Sequence, residues 1–190
     1  MSIPSHTVAF ITGHSVRGCT GLSLEQRRFQ QISDIPLNRW QDCNYPYRQT
    51  FSFPEPFNVI TGSCNNVGQF LLSRRAAFRQ RHADAVAAVF ARYDAVILIA
   101  GSCGTEILNN LELPADIRSR LHVFAYGPVS RRLPDTASLF VLQGRKDWLS
   151  RLFHPHADQR IDCSHMDYLR SPETLSLFNR FAHAALRYDQ

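Results

Sequence analysis

Residues Ala95 to Leu108 read AVILIA, GSCG, TEIL in succession, and this stretch decides the fold class. Six apolar residues in a row, with no polar alternation, suit a strand covered on both faces, as in a parallel sheet. Gly101-Ser-Cys-Gly104 follows at once, and Thr105 to Leu111 resumes the three- and four-residue apolar spacing of a helix. Working outward, Thr7 to Thr12 (TVAFIT) is a second run of β-branched and aromatic residues, ending in Gly13 and a polar, glycine-containing stretch through Gly21. Ser73 to Tyr93 is expected to be a helix with Ser73 as its cap, because Phe78, Ala85, Val86, Val89, Phe90 and Tyr93 fall on one face. Downstream the alternation continues. A helical piece spans Ala115 to Leu121, strands span His122 to Tyr126, Ser138 to Gln143 and Gln159 to Asp162, and a closing helix runs from Ser171 to Tyr188 with Pro172 at its first position. The segment Ile32 to Gly68, rich in proline and aromatic residues, reads as irregular, with short strands at Arg48 to Phe53 and Phe57 to Thr61. Strands alternating with helices predict an α/β domain of three layers, a mainly parallel sheet with helices on both faces.

The chain has 190 residues, of which 44% are hydrophobic and 19% charged. That length and balance suit one domain, spanning 1 to 190, with a full core, and exclude a disordered chain or an array of small modules. The longest apolar run, Ala95 to Ala100, is far short of the roughly 20 residues that cross a bilayer. The opening Met-Ser-Ile-Pro-Ser-His has no basic region followed by an apolar run. A soluble, cytoplasmic protein without a membrane partner is expected. The net charge is +5, but the basic residues are dispersed, whereas a nucleic-acid binder gathers them on one face; no nucleic-acid partner is expected. The five cysteines, Cys19, Cys43, Cys64, Cys103 and Cys163, include no C-x-x-C pair and read as reduced thiols.

In Val96 to Leu108 a buried strand turns into a helix within four residues and sets a hydroxyl, that of Ser102, at the turn. This resembles the nucleophile elbow of the α/β-hydrolase family, G-x-S-x-G, with Ala100 in place of the first glycine and Gly104 as the second. The family's chain order, serine then acid then histidine, is matched as well. Leu139 to Asp147 (LFVLQGRKD) is a strand followed by G-x-x-D, and Arg160 to Leu169 (RIDCSHMDYL) carries a histidine ahead of the last helix. The resemblance implies Ser102 as nucleophile, His165 as its base and Asp147 as the acid that orients the base. It also implies an oxyanion hole made by the Cys103 N–H and a second donor from the loop after the first strand, His14 or its neighbour Ser15.

Other assignments stay open at this level. Asp162 or Asp167 could orient the base, His154 or His156 could be the base, and Cys103 could be the nucleophile. His154, His156 and Asp158 could hold a metal. Gly13 to Thr20 has the spacing of a phosphate-binding G-x-x-x-x-G-K-T loop, but Cys19 stands where the phosphate-binding lysine belongs, and the chain's one lysine is Lys146. The glycines at 18 and 21 miss the spacing of a short-chain dehydrogenase.

Tyr126 to Ser138 is too short a link to hold the helical cap found in many α/β-hydrolases, so the site is expected to be open, or walled only by Pro36 to Phe57. The resemblance implies a serine esterase or thioesterase that forms an acyl-enzyme, needs no metal or organic cofactor, and takes a small-molecule or carrier-linked acyl substrate. An acyltransferase with the same triad, or a non-catalytic binding protein, are the alternatives. The arginines are compatible with an anionic carrier such as a phosphopantetheine-linked thioester.

Overall fold

The computed structural model describes residues 6–14, 20–47 and 59–188. Its frame is a six-stranded sheet in which every pairing is parallel. The strands are β1 (His6–Thr12), β2 (Trp40–Tyr45), β3 (Ala95–Gly101), β4 (Leu121–Tyr126), β5 (Ser138–Gly144) and β6 (Gln159–Ile161), in the spatial order β2-β1-β3-β4-β5-β6. The helices are α1 (Leu24–Ile32), α2 (Val59–Leu72), α3 (Ala76–Phe90), α4 (Gly104–Leu111), α5 (Ala115–Arg118), α6 (Trp148–Phe153) and α7 (Pro172–Tyr188).

Every residue of β3 is buried, and the alternation of its side chains builds two cores. Val96, Leu98 and Ala100 pack with Val86, Val89 and Phe90 of α3 and Ile107 and Leu111 of α4. Ile97 and Ile99 point the other way, onto Phe29 of α1 and Phe178 and Ala182 of α7. Two apolar faces on one sheet require helices above and below it, which explains the unbroken apolar spelling of β3. The strand order reverses between β1 and β3, whose carboxyl ends lie side by side through Ile11 opposite Ala100 and Thr12 opposite Gly101. In open α/β sheets that reversal is where ligands bind.

Four departures from the sequence reading bear on the site. The described parts of the segment 32–68, residues 32–47 and 59–68, are not irregular. The segment follows α1 and holds β2, while α2 occupies its end; residues 59–61, expected as strand, are the first turn of α2. The strand expected at Arg48 to Phe53 lies outside the described residues. Ser73 caps no helix start: its hydroxyl donates to the Phe70 carbonyl at 3.1 Å and accepts from Asn110 Nδ2 at 2.9 Å, so it closes the end of α2. The expected long helix is thus broken at 73–75, and α3 starts at Ala76. Finally, α6 follows β5 where no helix was expected, with Asp147 as its cap.

Helix α1 opens with a capping box. Ser23 Oγ accepts from the Gln26 N–H at 3.2 Å while Gln26 Oε1 accepts from the Ser23 N–H at 2.8 Å, which satisfies two of the four orphan donors of a helix start. Among the described residues no helix is long and apolar enough to cross a membrane.

Candidate active site

Ser102 follows β3 directly and adopts φ +52°, the left-handed region that costs a non-glycine residue roughly 1 kcal/mol or more. The strain is held from both sides. The Ser102 N–H donates to the Tyr126 carbonyl at 3.2 Å, and its own carbonyl accepts from the Val129 N–H at 3.0 Å. The turn tolerates no bulk around it. A Cβ on Gly104 would sit 1.9 Å from the Ile11 carbonyl oxygen, and one on Gly101 would sit 2.3 Å from the Tyr126 ring. The helix that follows, α4, therefore starts almost on top of β1, with its N-terminal end beside the serine.

His165, on the loop between β6 and α7, faces this turn. The Ser102 hydroxyl lies 2.9 Å from His165 Nε2, and Asp147 Oδ2 lies 2.8 Å from Nδ1. Because the carboxylate only accepts, Nδ1 carries the proton and Nε2 is left to accept from Ser102. The aspartate is nearly fully buried and each oxygen has work. Oδ1 accepts from the Ser150 N–H at 3.1 Å, and Oδ2 also accepts from the Tyr168 hydroxyl at 2.7 Å. Burial pushes the Asp147 carboxyl up. The hydrogen bond and charge of His165, with the Ser150 and Tyr168 bonds, outweigh it and hold the group below its ordinary value. Tyr168 in turn accepts from the Gly144 N–H at 2.6 Å, and burial, then Asp147, push its phenol up.

The alternative assignments are placed elsewhere. Asp162 pairs with Lys146 at 3.0 Å, and Asp167 accepts from the Ser164 hydroxyl. His154 is buried with Nε2 at 2.9 Å from Ser130 Oγ; that hydroxyl donates to the Arg132 carbonyl, so His154 donates to it. Burial lowers the pKa of His154, with Ser130 opposing in part. The Cys103 thiol is buried beneath Gly13, and burial pushes it up to about 12, which leaves it protonated and a poor nucleophile. Asp158 accepts from the Val141 N–H at 2.7 Å, and among the described residues no group of three or more His, Cys, Asp or Glu could hold a metal.

The two expected oxyanion donors differ. Cys103 stands at the start of α4, and its N–H has no backbone acceptor among the described residues. The His14 N–H, however, donates to Gln69 Oε1 at 2.9 Å, while Gln69 Nε2 donates back to the His14 carbonyl at 2.7 Å. This two-way clamp ties the His14 amide to α2. Ser15, the other candidate, lies outside the described residues. Asn44 brackets Thr12 in the same manner, its Oδ1 accepting from the Thr12 N–H at 2.8 Å and its Nδ2 donating to the Thr12 carbonyl at 3.0 Å. The loop after β1 is thus held by side-chain amides from β2 and α2.

A cavity of about 520 Å³ opens over Ser102 and His165. None of the residues 36–47 lines it, so the described part of the expected Pro36 to Phe57 wall stands elsewhere; α2 supplies the wall instead, through Asn66, Val67, Phe70 and Leu71. Sequence reasoning missed Tyr168 and Gln69. Tyr168 lies three residues after His165, and nothing in its spacing announces a hydrogen bond to Asp147. Gln69 belongs to a helix whose glycines and asparagines are poor helix formers. Neither a protein-family model nor a curated protein sequence matches the chain, so its function is argued from this geometry.

Proposed function

We propose that the chain is a serine hydrolase of esters or thioesters. The observation that carries this reading is the continuous hydrogen-bonded line from Asp147 through His165 to Ser102, on a serine held in a left-handed turn at the floor of a cavity. A serine hydroxyl is a weak nucleophile at neutral pH, and an oriented imidazole beside it removes that handicap. His165 Nε2 takes the proton as Ser102 Oγ bonds to the acyl carbon, and Asp147 stabilises the imidazolium. The bond from the acyl carbon to the leaving oxygen or sulfur then breaks, and that atom takes the proton from Nε2. Water repeats the sequence on the acyl-enzyme, giving its proton to His165 and releasing the acid. The negative oxygen formed at each stage is stabilised by the Cys103 N–H at the positive end of α4. The resemblance of A-G-S-C-G and of the serine, acid, histidine order to the α/β-hydrolase family supports the same chemistry.

Labelling with a fluorophosphonate, followed by peptide mapping, tests the reading. Wild-type protein is expected to be labelled at Ser102, Cys103→Ala to keep the label and Ser102→Ala to lose it, with ester hydrolysis falling at least about ten-thousandfold in the serine variant. Folded wild-type protein that takes no label at Ser102 overturns the proposal.

A further inference from the structure

The cavity over Ser102 is lined from two sides. One is built by α2, α6 and the link after β4: Val67, Phe70, Leu71, Val129, Leu149 and Phe153. None of these six side chains has a polar atom, and Phe70 and Phe153 meet edge to face with centroids 5.9 Å apart. Val67 and Leu71 remain more than half exposed, at 58% and 54%, so this wall presents apolar surface that nothing in the described fold covers. The other side is built by the start of α1 and the loop carrying His165, and it sets Leu24, Met166 and Leu169 beside its polar groups. Its polar groups are largely occupied within the protein: Gln26 Nε2 donates to Thr12 Oγ1 at 3.2 Å, Glu25 pairs with Arg170, and Tyr168 holds Asp147.

Charge narrows the ligand further. In a chain of net charge +5, no arginine or lysine among the described residues lines the cavity, and Glu25, which does, is paired with Arg170. Among the described residues an anionic group meets no lining arginine or lysine, which favours an uncharged group over the anionic carrier that the arginine count suggested.

The chemistry at Ser102 sets the direction of the acyl chain. The tetrahedral carbon on Oγ carries the negative oxygen, turned to the start of α4, and the leaving atom, which must meet His165 Nε2. His165 stands beside Tyr168, their ring centroids 6.5 Å apart, on the side of α1. The remaining substituent, the acyl chain, points away from the leaving atom and so from His165 Nε2, into the cavity that Phe70 and Phe153 also line.

We propose that the wall formed by α2 and α6 is an acyl-chain site, and that the substrate is an ester or thioester of an uncharged, hydrocarbon acyl group. The assignment of acyl chain rests on the hydrolase reading; the apolar site itself does not. Calorimetry of wild-type and Ser102→Ala protein with the N-methylamides of butanoic, hexanoic and octanoic acids reads the site without turnover. Affinity is expected to rise about fourfold per methylene, the burial of one such group. Leu71→Asp and Val67→Asp, at half-exposed positions that leave the core intact, should flatten this dependence, and N-methylsuccinamate should bind at least about tenfold more weakly than the hexanoyl amide. Affinity independent of chain length, equal binding of the succinamate, or no binding of any amide overturns the proposal. Hydrolysis of nitrophenyl esters of the same acids separates the two claims. Length-dependent binding without ester hydrolysis keeps the apolar site and removes the hydrolase reading, while Ser102-dependent hydrolysis that ignores chain length does the reverse.

Discussion

Tyr168 ties the acid beside His165 to the end of β5. Its hydroxyl is shared between the Gly144 N–H and Asp147 Oδ2, so it fixes the end of β5 and the carboxylate together. Tyr168→Phe is expected to leave a buried N–H without an acceptor and to cost about 1–3 kcal/mol in a urea titration. In the hydrolase reading the same change lowers kcat about tenfold with KM little altered, because a misoriented carboxylate is felt mainly in the transition state. Unchanged kcat in a destabilised variant would make Tyr168 purely structural. Tyr168 was not legible in the sequence as a site residue, since its role arises from meeting a partner 21 positions away. Ser102, Asp147 and His165 could be singled out because each lies just beyond a recognisable strand.

At the scale of elements, the turn from β3 into α4 sets α4 close against β1. Gly104 lets α4 start against β1, where a Cβ would overlap the Ile11 carbonyl at 1.9 Å. Backbone on that side cannot give way as a flexible side chain can, so Gly104→Ala is expected to destabilise by about 3 kcal/mol or more. A urea midpoint near that of the wild type would show that the approach is looser than described. The same close packing explains why the small residue after Ser102 could be read from the sequence. By contrast α2 was unreadable: Gly62, Gly68, Asn65 and Asn66 dilute its helical signal, and tertiary contacts such as the clamp from Gln69 to His14 compensate. Helix α1 did carry a signal, since Ser23 and Gln26 spell a capping box.

Over the whole molecule, acidification should weaken the fold in two stages. His6, His82 and His154 all have pKa values lowered below the ordinary 6.5, first by burial, with Arg39 and Arg81 adding to the effect at His6 and His82. A group whose folded pKa is depressed contributes stability above its unfolded value and loses it as pH falls through the folded one. The urea midpoint is therefore expected to drop between about pH 7.5 and about pH 5. A second loss follows near and below about pH 4, where Asp147 and Glu106 are protonated. Burial pushes Glu106 up, but the Arg131 N–H and guanidinium and Asn110 prevail and hold it low; through Arg74 as well, it ties α4 to the end of α2 and to the link after β4. A midpoint that holds steady or rises between the two higher pH values would contradict the histidine assignment.

The sequence by itself determined the parallel α/β frame and the positions of Ser102, Asp147 and His165 along it. Strands buried on both faces are written as contiguous apolar runs, and a strand end followed by glycine marks the edge of a sheet wherever the chain later folds. Only the tertiary structure decided which acid meets His165, that the His14 amide is taken by Gln69, and that α2 lines the cavity where residues 36–47 do not. These are contacts between residues such as His14 and Gln69, 55 positions apart, and a side-chain hydrogen bond across that distance leaves no periodic trace in the local sequence.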